Sequence, residues 1–175
     1  KEADRIWDLP FSYLPHPKYS GKGDIPAYEM IKFSVNIHRG CFGGCSFCAI
    51  AAHQGKHIIR RSEESVLKEV DRIKDLPGFS GYISDLGGPS ANMYGMKGVD
   101  MKLCLKCSRP SCIWPSVCRN LDTDHSALTR LYKKVNSSEG IKKAFVGSGV
   151  RYDLLFPGFN PKAGRDEAEY LEELL

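Results

Sequence analysis

The run Cys41-Phe42-Gly43-Gly44-Cys45-Ser46-Phe47-Cys48 puts three thiols into eight residues, spaced C-x₃-C-x₂-C. Three thiolates on one tight loop can each hold an iron of a [4Fe-4S] cube and leave the fourth iron without a protein ligand, open to a small molecule. Gly43 and Gly44 let the backbone take positive φ and pass close to such a cluster, and Phe42 and Phe47 are expected to keep water from it. The same residues also admit a zinc site completed by His38 or His53, or three ligands of a ferredoxin-type cluster. The place of the motif, after a strand and before a helix, favours the open cube.

Cys104, Cys107, Cys112 and Cys118 follow as C-x₂-C-x₄-C-x₅-C within fifteen residues. Four thiolates this close repel one another unless protonation or a metal neutralises them. A closed site is expected, either structural zinc or an auxiliary [4Fe-4S] cluster, because tetrahedral sulfur geometry suits both. With zinc the segment would be a stapled lid; with iron it would relay electrons or bind substrate. The plain alternative is reduced cysteine packed beneath a loop. The two sets account for all seven cysteines, and their confinement between Cys41 and Cys118 is unlike disulfides spread through a secreted fold.

The elements that must position these loops follow from periodicity. Residues 1–30, with Pro10, Pro15, Pro17 and Pro26, are expected to form an irregular lead-in wrapped on a core. Phe33 to Ile37 alternates as a strand and runs into the first cysteine loop. Ser62 can cap a helix with Glu63 and Glu64 in its first turn and Val66, Val70 and Ile73 on one face, stopped by Pro77-Gly78. A second strand, Gly81 to Leu86, ends in Gly87-Gly88-Pro89. A cysteine-rich insertion at about 89–121 follows. Asp122 to Asp124 offers caps for a helix with Leu128, Leu131, Tyr132 and Val135 inward, and His125 is expected to belong to that cap. A third strand, Ala144 to Val146, ends in Gly147-Ser148-Gly149, and Asp166 to Leu175 reads as a third helix. This is the α/β pattern of parallel crossovers, about three βα units spanning 31–175. Three units do not close a (β/α)₈ barrel, which takes about 250 residues. The absence of an initiator Met before Lys1 and the end at Leu175 within a helical pattern also lead us to expect the N-terminal part of a larger chain.

Composition bounds the remaining possibilities. The 175 residues are 42% hydrophobic and 26% charged, values of an ordinary globular protein, which excludes disordered and collagen-like classes. The longest apolar runs fall far short of the roughly 20 residues that span a bilayer, so a cytoplasmic protein without membrane contact is expected. Twenty-five basic against 21 acidic side chains give +4, a slight bias toward anionic partners. The densest basic run, Lys56 to Arg61, is expected to be a solvated or structural face.

The cysteine spacing, with an aromatic residue just before the last cysteine, resembles the signature of the radical S-adenosylmethionine (SAM) superfamily. Gly87-Gly88-Pro89 stands where that superfamily carries a Gly-Gly-Glu-like turn that meets the SAM amino group. Pro89 replaces the acid, which leaves the contact to backbone carbonyls. The stretches Ile31 to Ser34, Arg39 to Cys45, His53-Gln54-Gly55, Gly87 to Tyr94, Cys107 to Cys112, Asp122 to His125 and Ser148 to Asp153 resemble the YgiQ family of uncharacterised radical SAM proteins over nearly the whole chain. The resemblance implies a partial radical SAM (β/α) barrel with Cys41, Cys45 and Cys48 on the cluster. It also implies SAM near Gly87, Gly88, Ser148 and Arg151, and an electron donor such as flavodoxin or ferredoxin. It implies reductive cleavage of SAM to a 5′-deoxyadenosyl radical, on a substrate it does not identify. Arg151, past a strand end, can clamp a carboxylate or pair with Asp153. His53 is expected to orient a ligand rather than to react. The competing expectation is a non-enzymatic iron–sulfur or zinc protein that transfers electrons or binds nucleic acid.

Overall fold

The computed structural model describes residues 2–175; Lys1, where the expected lead-in begins, lies outside them. The lead-in is not irregular throughout. It holds two short helices, α1 (Glu2–Trp7) and α2 (Pro26–Ile31), on either side of a 3₁₀ turn at Pro17–Tyr19. Proline was expected to break structure here, but Pro26 opens α2, where its missing N–H and fixed φ suit a first turn. Neither helix contains a buried residue. Polar contacts hold the lead-in to the chain that follows: Asp4 accepts from the Ser62 amide at 2.8 Å and Asp8 from the Ser65 hydroxyl at 2.7 Å.

The chain then forms β1 (Ser34–Asn36), β2 (His38–Arg39), α3 (Ile50–Gln54), β3 (Ile59–Arg60) and α4 (Glu63–Lys74). β4 (Tyr82–Ile83) and β5 (Asp85–Gly87) come next, then β6 (Lys97–Gly98), α5 (Met101–Leu105) and β7 (Leu121–Asp122). The last elements are α6 (Ser126–Asn136), β8 (Lys143–Ala144) and α7 (Arg165–Leu174). The three expected strands are present but short. β1 pairs parallel with β5, Val35 opposite Leu86, and β4 pairs parallel with β8, Ile83 opposite Ala144. Ser84 joins β4 to β5, and its amide donates to Phe33 O at 3.0 Å while the Leu86 amide donates to Phe145 O at 2.9 Å. Three parallel segments therefore lie side by side, with α4 and α6 as the connections between them. This is a mixed α/β fold; the described residues close no barrel.

Both long helices form as their sequences dictate. The Ser62 hydroxyl accepts from the Ser65 amide at 3.2 Å, Glu63 and Glu64 occupy the first turn and Arg72 and Lys74 the last, each sign matched to the helix dipole. On α6 the side-chain bonds come from Asp124, just before the N-cap, whose carboxylate accepts from the Ser126 amide and hydroxyl, both at 2.7 Å. His125 stands at the N-cap, as expected, but its side chain makes no capping bond because the ring is drawn inward. Val66, Val70 and Ile73 of α4, Leu128, Leu131, Tyr132 and Val135 of α6, and Tyr170 of α7 bury against Val35, Ile83 and Leu86. A second, smaller core of Phe42, Met93, Met96, Ile113, Leu121 and Leu154 lies beneath Cys41, Cys112 and Cys118. The parallel layer thus carries the fold, and the small core carries the cysteines.

Two members of the basic run, Lys56 and Arg61, are structural, while His57 and Arg60 are exposed. Arg61 is wholly buried, paired with Glu69, and donates to Asn36 O and Ser65 O, each at 2.9 Å, beneath the Trp7 ring. Lys56 donates to the carbonyls of Cys107 and Arg109 at 3.0 Å each, which ties the chain after the first cysteine loop to the second set. No helix among the described residues is long and apolar enough to cross a membrane.

Candidate metal centre and cofactor site

Parallel α/β sheets present their reactive groups beyond the carboxyl ends of the strands. Here the first cysteine loop follows β1 and β2, Gly87-Gly88 closes β5, and Gly147 to Asp153 follows β8. Three stretches distant in sequence thus share one end of the parallel layer.

Two glycines shape the first loop. Gly40 has φ +88° and a Cβ there would stand 2.2 Å from His57 O; Gly44 has φ +61° and a Cβ there would stand 2.3 Å from Pro110 O. Only glycine lets the chain turn this tightly against neighbouring backbone. Gln54 at the end of α3 accepts from the Gly40 amide at 3.1 Å and holds the loop's start, while His53 beside it is exposed. Cys41, Cys45 and Cys48 are free and half-buried. A Cβ on Gly43 would lie 3.3 Å from Cys41 Sγ and 3.7 Å from Cys45 Sγ, so both thiols gather over that glycine. Burial pushes the Cys41 thiol up, against the Gly43 amide donating to its sulfur; Cys45 and Cys48 push it further and Arg151 draws it down. Phe42 is buried, as expected, but Phe47 is 91% exposed and shields nothing among the described residues.

Arg151 reaches this loop from the far side of the sheet. Its Nη1 lies 3.5 Å from Cys45 Sγ, and its other nitrogens pair with Asp153. Of the two alternatives, the Arg–Asp pair is the one formed, with one nitrogen left toward the thiol. Asn92 fixes the Arg151 backbone at both ends: its Oδ1 accepts from the Arg151 amide at 2.7 Å and its Nδ2 donates to the Arg151 carbonyl at 3.0 Å. With Oδ1 so assigned, Nδ2 also faces His125 Nε2 at 3.2 Å, which places the imidazole proton on Nδ1, 3.2 Å from Glu167. Burial lowers the His125 pKa and Glu167 works against that shift. A buried chain of side chains therefore runs from α7 to the residue that touches Cys45. Asn92 and His125 stood inside quoted motifs, but only their burial reveals these partners.

Gly87 and Gly88 are required by packing. A Cβ on Gly87 would meet Ser148 Oγ at 2.4 Å, and one on Gly88 would meet the His38 ring at 2.5 to 2.9 Å. Ser148 donates its hydroxyl to Asp85, whose other oxygen accepts from the Gly147 and Ser148 amides at 2.9 and 3.1 Å. Asp85, which the sequence placed only in a strand, thus fixes the turn after β8. His38 is fully buried with both ring nitrogens unpartnered among the described residues, and burial pulls its pKa down to about 4. Neither cysteine set is converged on a single point: among the described residues no three His, Cys, Asp or Glu side chains are gathered to hold one metal ion.

The second set lies on a half-open cavity of about 150 Å³ whose lining includes Cys104, Cys107, Cys112 and Cys118. Burial pushes the Cys112 thiol up, Cys118, Cys104 and Cys107 add to that, and Lys56 opposes it. The two cysteine loops are one packed unit. The Cys112 amide donates to Phe42 O at 3.0 Å and the Ser111 hydroxyl to Gly43 O at 2.7 Å.

No family model matches the chain, and no solved structure does. Curated relatives do. The chain is 61% identical over its whole length to a UPF0313 protein of Bacteroides thetaiotaomicron, of which it covers 28%. It is 55% identical to one of Porphyromonas gingivalis, of which it covers 27%, and 47% identical to one of Pseudomonas aeruginosa, of which it covers 22%. The cysteine loops and the α/β frame described above therefore lie within a sequence that is similar from end to end to UPF0313 proteins and spans about a quarter of their length.

Proposed function

We propose that this chain is the cluster-bearing part of a radical SAM enzyme, three βα units of a larger (β/α) barrel, whose substrate its residues do not reveal. The observation that carries the proposal is the gathering of Cys41 and Cys45 over Gly43, with Arg151 against Cys45, at the carboxyl end of the parallel segments. The donor set fits the group: three half-buried thiols on a glycine-rich loop, with a guanidinium to offset their charge as thiolates.

Cys41, Cys45 and Cys48 would hold three irons, and the Gly43 amide and Arg151 would stabilise the ligating sulfurs. When bound, the cluster and SAM supply reductive cleavage of the sulfonium to methionine and a 5′-deoxyadenosyl radical that takes hydrogen from a substrate. The chain's residues bind and orient. Asp85 holds the Ser148 turn, Asn92 holds Arg151, and the Ser148 hydroxyl is already engaged, so SAM contact at Gly87, Gly88 and Ser148 would fall to backbone groups. Lys56 and Arg61 are committed to internal contacts and would not serve the nucleic-acid alternative.

The test uses full-length protein containing this chain, reconstituted with iron and sulfide without oxygen, reduced and given SAM. Release of 5′-deoxyadenosine is expected, and Cys45→Ala should abolish it. A reducible cluster that yields no 5′-deoxyadenosine would favour an electron carrier.

A further inference from the structure

The spacing of the second cysteine set leaves zinc and iron equally open, and the size of the cavity that all four cysteines line favours the larger group. A zinc ion draws four sulfurs to about 2.3 Å, which leaves them roughly 3.8 Å apart with no space between. A [4Fe-4S] cube instead fills a volume and takes its thiolates on the outside. Cys104, Cys107, Cys112 and Cys118 all line one space of about 150 Å³. Phe42, Ile58, Met96 and Leu121 make much of its wall apolar, so the space is unsuited to a pool of ordered water.

Two neighbours are adapted to sulfur. A Cβ on Gly98 would stand 2.2 Å from Cys104 Sγ, so glycine leaves the thiol its place at the rim. Asn120 Nδ2 lies 3.2 Å from the same sulfur, and N–H···S bonds of this kind stabilise cluster thiolates and raise the potential. Lys56, held at the cavity wall by the Cys107 and Arg109 carbonyls, supplies a positive charge beside four groups that lose their protons on ligation.

We propose that Cys104, Cys107, Cys112 and Cys118 enclose a second [4Fe-4S] cluster, fully ligated by protein and separated from the first cysteine loop by Phe42. The site does not depend on what the first set binds. It is tested by counting iron, sulfide and zinc in full-length protein reconstituted without oxygen. Wild type is expected to hold about eight irons per chain and the Cys41→Ala/Cys45→Ala/Cys48→Ala variant about four, with a reducible iron–sulfur absorption band in both. Four irons lost with the second set but kept without the first would support the same site even if the first set held none. Zinc near one per chain that survives loss of the first set would overturn it. So would a wild-type count of about four irons that all vanish with the first set. A wild-type count of about eight supports the site without any variant having to fold.

Discussion

His38 lies in β2 with no exposed surface, against the face of Gly88, and neither of its nitrogens has a partner among the described residues. Burial alone lowers its pKa from 6.5 to about 4. An unfolded chain takes up that proton near 6.5 and the folded chain only near 4, so stability falls as pH falls through this window. The loss reaches about 3 kcal/mol at its lower end. His125, also lowered by burial, adds to it in the same sense. His38→Met should flatten this part of the profile, seen as a urea midpoint that drops less between pH 7 and pH 4 than in wild type. Identical slopes for the two proteins would show that the folded chain protonates His38 freely.

At the scale of elements, Arg61 joins what the sequence separates. It follows β3, pairs with Glu69 in the middle of α4, caps the Asn36 carbonyl at the end of β1 and lies beneath Trp7 of α1. Its own carbonyl accepts from the Tyr94 hydroxyl at 2.8 Å. Arg61→Leu would leave the Glu69 carboxylate buried without its partner, and a loss of about 3–5 kcal/mol in denaturant unfolding is expected. A loss below about 1 kcal/mol would mean that the pair is readily hydrated. From periodicity, α4, α6 and α7 were legible nearly to their ends, because each has an apolar stripe on one face and, for α4 and α6, a side-chain bond at the N-terminus. The strands were legible as places but not in length. Two or three paired residues each carry little alternation, and pairing depends on a partner about fifty to sixty residues away.

For the molecule as a whole, the two cysteine sets are mechanically one. Gly44 fits under Pro110, Ser111 bonds Gly43, Cys112 bonds Phe42, and the small core supports both loops. Gly44→Ala would force a Cβ into the Pro110 carbonyl at a φ of +61°, a cost above about 1 kcal/mol. The second loop should lift, read as faster hydrogen exchange at the Cys112 amide. Unchanged exchange there would show that the loops dock independently.

Sequence by itself determined the cysteine inventory, three after a strand and four in an insertion, together with the alternation of strands and helices that carries them. Spacing along a chain fixes local chemistry, and periodicity fixes which face is buried. Tertiary structure alone decided the rest: that Arg151 meets Cys45, that Asn92 and His125 support it, and that all four cysteines of the second set line one cavity. It also turned Phe47 outward and His125 inward. Such contacts join residues 30 to more than 100 positions apart, and only the packing of the parallel layer brings them together.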